Sequence, residues 1–239
     1  MKILLIFLFS INVMFAFELT RKYDANVGLY GNVGQALLSE KHNKKSYSMR
    51  LTLKPTSLIS DLSGIDSIEY LSVGTIDPQG VFTPESFIST ILSDNKREKT
   101  TYLYKHSNKY ILKKTHVEEE IKNAEIEALI FDEKKRKQTK ITDKTKKIKY
   151  VSNDYLTLIK NAHSFKEGPI EYLDQNSTSS LYLLSAETNR FKIKIKTKES
   201  KYLLELQNDM YGLTKAKTLK SLEIGDADLK TIKMKVSFK

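Results

Sequence analysis

The chain predicts a mainly β fold, a strongly curved antiparallel sheet or half-barrel carrying two or three short helices. Three observations lead there. Apolar and polar residues alternate with period two along most of the chain, short polar turns recur at hairpin spacing, and helix start signals are few. Strands with one apolar and one charged face belong to antiparallel sheets that are wet on one side.

The 239 residues suffice for one all-β domain, and a chain that is 40% hydrophobic and 29% charged has a globular composition. There is no Cys. That excludes disulfides, a thiol nucleophile, Cys-ligated zinc and iron–sulfur clusters. Residues 1–16 read as a secretory signal peptide. Lys2 supplies the positive start, Ile3 to Phe9 is an unbroken apolar run, and polar sequence returns at Glu18. The run is shorter than the ~20 apolar residues a spanning helix needs. Residues 17–239 then form a single mainly-β domain, expected in the periplasm and not as an integral membrane protein. A domain this large can bury a sufficient core without staples.

A first strand starts near Glu18, and the glycines of Leu29 to Gly34 mark a turn or kink after it. Glu40 to Lys45 is a polar turn before the alternating strand Tyr47 to Leu53. Pro55 to Leu62 reads as a short helical turn. Thr83-Pro84-Glu85 has the form of a helix start, with a capping Thr, Pro in the first turn and an acid at the positive end, so a helix is expected over 84–92. Thr101 to Lys105 and Lys109 to Lys113 flank a three-residue turn as a hairpin. Asp154 to Ala162 is a second helix, with Tyr155, Leu158, Ile159 and Ala162 at i, i+3, i+4, i+7. Phe191 to Lys198 alternates apolar residues with four lysines, and Ile232 to Lys239 repeats the pattern. With Tyr202 to Leu206 and Leu219 to Ile224, this gives roughly ten strands.

Residues 132–149 stand apart. They hold nine Lys or Arg against three acids, more than half of the chain's net charge of +11. Few could enter a core, so an exposed hairpin or mobile loop is expected. Lys134, Lys135, Arg136 and Lys137 make it a candidate partner-binding segment.

No motif carries a catalytic constellation. The four histidines lack metal-ligand spacing, and His116 beside Glu118, Glu119 and Glu120 is the nearest approach to a site. There is no G-x-S-x-G elbow and no phosphate-cradling G-x-G-x-x-G. Asp226 and Asp228 could share a strand face, but a carboxylate pair acts only across a cleft. Neither catalytic residue, cofactor nor metal is assigned. The basic surplus is almost all Lys, with Arg only at 21, 50, 97, 136 and 190, and the basic stretch lacks aromatics until Tyr150. Nucleic acid, read by Arg forks and stacking aromatics, is therefore not the expected partner. Asp174-Gln-Asn176-Ser-Thr178 resembles the extended acceptor motif of periplasmic oligosaccharyltransferases, which makes Asn176 a candidate glycan site.

Several features occur together in order: Tyr23, the turn Tyr30 to Gly34, Tyr47 to Leu53, Tyr102-Leu-Tyr104, Tyr110-Ile-Leu112, Asp154 to Leu158, and Leu222 to Leu229. This order resembles exported bacterial proteins of the domain-of-unknown-function family 3108. The resemblance implies a curved antiparallel sheet akin to periplasmic lipoprotein carriers, with an apolar cavity enclosed against short helices. It implies no catalytic residues. The expected function is a non-enzymatic binding or envelope-maintenance protein. Its lipid or other apolar ligand would lie in a groove lined by Tyr47, Tyr102 and Phe191. The alternative is a scaffold or assembly factor binding an envelope protein through a strand edge or the basic segment, and an envelope hydrolase ranks last.

Overall fold

A computed structural model describes residues 17–27, 31–43, 45–121, 138–174, 177–186, 192–196, 201–208, 217–225 and 232–238. The first half is a meander of eight strands: β1 (Phe17–Val27), β2 (Gly31–His42), β3 (Ser46–Pro55), β4 (Ile65–Ile76), β5 (Phe82–Ser93), β6 (Lys96–Lys105), β7 (Tyr110–Ile121) and β8 (Gln138–Lys149). Helix α1 (Ser57–Ser63) joins β3 to β4, and helix α2 (Tyr155–Lys160) follows β8. Six more strands complete the chain: β9 (Gly168–Leu173), β10 (Thr178–Ala186), β11 (Lys192–Lys196), β12 (Lys201–Asn208), β13 (Lys217–Gly225) and β14 (Ile232–Phe238).

All fourteen strands form one antiparallel sheet in the order β8-β7-β6-β5-β4-β3-β2-β1-β14-β13-β12-β11-β10-β9. Every pairing joins consecutive strands except β1 with β14, where Tyr23 faces Phe238. The mainly β, antiparallel class with few helices is as the alternation predicts. The outermost strands, β8 and β9, also approach each other. Lys149 Nζ lies 2.5 Å from Glu171 Oε1.

Register sorts the side chains. Glu40, Met49, Ser72, Phe87, Tyr102, Lys113 and Lys146 form one cross-strand row from β2 to β8. The face that carries this row also carries α2 and the core. One cluster packs Tyr47, Met49, Phe82, Phe87, Tyr102 and Ile111 against Leu156. Aromatic neighbours stack or tilt across strands, as Phe87 does on Tyr102 at 5.9 Å. A second cluster joins Leu183, Leu204 and Leu206 to Ala162.

Two features depart from the sequence reading, the helix expected over 84–92 and the number of strands. Residues 84–92 are not a helix but the body of β5. The strand buries Phe82 and Pro84, then Phe87 and Ser89, because a bulge opposite Val73/Gly74 shifts the alternation by one residue. That phase change hides the period, while Thr-Pro-Glu imitates a helix start. Of the exposed hairpin and the mobile loop expected over 132–149, residues 138–149 follow the first, as the twelve-residue edge strand β8 paired along its length with β7. Its five lysines face solvent, as suits an edge. There are also more strands than the roughly ten expected: β5 and β10 carry too many Ser and Thr to read as apolar alternation, and β9 is short and opens on Gly168-Pro169.

The two remaining helices lie close to expectation. Thr56 and Gly64 bound α1, with Gly64 left-handed at φ 66°. Asp154 caps α2 and forms a capping box with Thr157. The turn between β6 and β7 is a single 3-10 turn over His106–Asn108.

Candidate functional site

Between the sheet and the two helices lies a cavity of about 490 Å³. Residue size explains where it opens. Ala25 faces Gly34 and Tyr23 faces Ala36 across the β1–β2 pair, so small side chains leave the centre of this face thin. Leu51 and Leu53 from β3, Ile68 from β4, Leu222 and Ile224 from β13, and Ile159 from α2 stand around the gap. From Glu40 at one end of its β2 wall to Gly34 at the other is six residues, about 20 Å of strand. Helix α1 borders the Gly34 end through Ile59 and Ser63, with its Leu58 and Leu62 exposed beside it.

The opposite end is polar. Lys160, in the last turn of α2, reaches the Glu40 carboxylate with Nζ 2.5 Å from Oε2, and both side chains are almost fully buried. Glu40 Oε1 has no hydrogen-bond partner among the described residues. Arg21 on β1 lies opposite Leu38 and diagonal to Glu40, on the same face. It is 2% exposed, and neither of its terminal nitrogens has a hydrogen-bond partner among the described residues. Tyr23 donates its hydroxyl to the Leu219 carbonyl, and burial pushes its pKa up to about 12.

A polar network fixes α2 over the sheet. The Asp154 carboxylate accepts from the backbone of Leu156 and Thr157 and from Ser72 Oγ at 2.5 Å. Tyr47 in turn hydrogen-bonds Ser72, and burial drives the Tyr47 pKa far above its ordinary value. Burial also lifts Asp154 to about 6, against the pull of its hydrogen bonds. Asn161 takes both backbone groups of Phe82, accepting from its N–H and donating to its carbonyl. Lys160 and Glu40 are thereby held in register across 120 residues of sequence.

The residues singled out from sequence fall elsewhere. Tyr47 and Tyr102 are packed core, 2% and 0% exposed, and neither lines the cavity. Phe191, Lys134, Lys135, Arg136, Lys137, Asn176, Asp226, Asp228 and residues 1–16 lie outside the described residues. His116 bonds Asp143 at 2.7 Å and Glu118 at 3.1 Å on the exposed β7–β8 surface. Among the described residues no group of three or more His, Asp or Glu is placed to hold a metal. No helix among them is long and apolar enough to cross a membrane. Sequence reading missed Arg21, Glu40 and Lys160. A signal existed for two of them: Leu19-x-Arg21-x-Tyr23 and Leu38-x-Glu40-x-His42 put charges on the inward phase of alternating strands.

No family model, curated protein or solved structure matches this chain. The cavity and its polar end therefore carry the functional reading.

Proposed function

We propose that this protein is a non-enzymatic binding protein of the periplasm or cell envelope that holds an apolar, lipid-like ligand on the curved sheet face carrying α2. The observation behind this reading is the cavity of about 490 Å³ walled by Leu51, Leu53, Ile68, Ile159 and Leu222. The hollow is partly open to solvent, and an exposed apolar hollow of this kind favours an apolar occupant. A hollow of this size falls within the ~300–1,000 Å³ of ordinary ligand sites. The acid and the base in its wall, Glu40 and Lys160, are bonded to one another. That favours binding over catalysis. The resemblance to family 3108 implies a cavity of the same kind. Partner capture along a strand edge has less support, because the lysines of β8 discourage strand addition.

Native mass spectrometry with lipid extraction, on protein purified from a periplasmic fraction, tests the proposal. A co-purifying apolar species released on unfolding is the expected result. A bare protein mass, together with no uptake of an apolar naphthylamine dye, would refute it.

A further inference from the structure

Beside the polar end of the cavity, the buried Arg21 guanidinium has no acceptor for its terminal nitrogens among the described residues. Lys160 and Glu40 line the cavity and are bonded to each other, while Arg21 is not part of the wall itself but stands opposite Leu38 and diagonal to Glu40, which are. His42, next inward on β2 after Glu40, is buried as well. Asp24 is the nearest other acid on β1, but its position alternates onto the opposite phase from Arg21 and Tyr23. A buried guanidinium whose fork has no acceptor is costly, and the cost falls when an anion is supplied. Arg presents paired donors that match a carboxylate bidentately, which an ammonium cannot do.

Position makes this guanidinium useful. Arg21 sits between Leu19 and Tyr23 on the inward face and opposite Leu38. Tyr23, Leu38 and Glu40 all line the cavity. The charged end is therefore continuous with about 20 Å of apolar wall running to Gly34 and α1. A molecule filling both parts has an anionic head and one extended hydrocarbon chain.

We infer that the ligand is a single-chain amphiphile with a carboxylate head, its chain along β2 and β3 and its head on the Arg21 guanidinium beside the Glu40–Lys160 pair. This rests on the cavity being a ligand site, and it adds the ligand's class and the residue that selects it.

Dye displacement from purified protein by dodecanoate and by dodecanol separates the two claims. Dodecanoate is expected to displace the naphthylamine dye at a concentration at least ~10-fold lower than dodecanol. Arg21→Met should remove that preference and leave dodecanol affinity within about twofold. Arg21→Lys, which keeps the charge but loses the fork, should fall between. Equal affinity of the wild-type protein for the two amphiphiles, with the dye bound, overturns the headgroup inference and leaves the cavity reading intact. Failure of the dye and both amphiphiles to bind overturns both. Should Arg21→Met not fold, the wild-type comparison and Arg21→Lys still decide the matter.

Discussion

Lys160 on α2 and Glu40 on β2 meet at 2.5 Å inside the protein, with side chains 4% and 2% exposed. A buried pair of this kind contributes little net stability over an apolar pair, but losing one partner strands a charge. Glu40→Leu alone should cost about 3–5 kcal/mol, and so should Lys160→Met. The double replacement should cost clearly less than the sum of the two. Urea unfolding of the four proteins gives the coupling directly. Additive costs would mean that the two charges do not depend on each other.

Asp154 predicts an unusual pH response. Its folded value of about 6 lies above the 3.8 of a free aspartate, a gap of about 3 kcal/mol. The acid is protonated in both states at low pH. As pH rises through the interval from about 4 to about 6, the unfolded chain ionises first and the folded state falls behind. The contribution of Asp154 to stability is thus greatest on the acid side and is lost as pH reaches neutrality. Asp154→Asn retains a capping side chain and removes the titration. Relative to that variant, the wild-type protein should lose up to about 3 kcal/mol between pH ~4 and pH ~7. A relative gain over the same range would contradict the burial of this carboxyl as the dominant influence.

His116 behaves in the opposite sense. Hydrogen bonds donated to Asp143 and then to Glu118 raise its pKa above 6.5. The protonated ring therefore supports the β7–β8 pairing at acid pH, and that support disappears as pH rises through the raised value. An NMR titration should place His116 above 6.5, and Asp143→Asn should bring it down. An unchanged value in the variant would show that β8 does not hold Asp143 against His116.

Gly74 faces Pro84 at the β4–β5 bulge. A Cβ there would stand 2.1 Å from the Thr83 carbonyl oxygen and 2.9 Å from the Tyr47 hydroxyl oxygen. Backbone cannot yield as a side chain can, so Gly74→Ala should destabilise by about 3 kcal/mol or more. Thermal unfolding checks it. A neutral outcome would imply that the bulge relocates.

Ala36 offers the converse experiment. Its Cβ lies on the cavity wall between Tyr23 and Leu53. Ala36→Phe should fill space without displacing packed neighbours, leaving stability within about 1 kcal/mol. Dye binding should be lost. Retained binding would place the ligand outside this hollow.

The class of fold was legible because Tyr47 to Leu53 and the lysine ladder of β11 obey period two without interruption. Segment 84–92 was not, because its bulge shifts the alternation by one residue between Pro84 and Phe87. The edge strand β8 was obscured differently: its composition is that of a solvated loop, and only pairing with β7 makes it a strand. At the candidate site, the spacing of Asp154, Leu158 and Ile159 revealed α2, while Tyr47 and Tyr102 proved to be packing residues. The Glu40–Lys160 contact could not be read, since nothing local links two positions 120 residues apart. The cavity itself arises from small residues, Ala25, Gly34 and Ala36, meeting across a register that the sequence does not display.

The β1–β14 seam divides assembly into two stages. The first eight strands zip up through local hairpins, each formed soon after its residues become available. One flank of β1 keeps its backbone N–H and C=O groups unpaired until a segment about two hundred residues later arrives to cover it. Until then, the last strand of a second copy offers that flank the same hydrogen-bonding partner as its own. The seam is thus both the step that completes the monomer and the place where two chains could exchange halves.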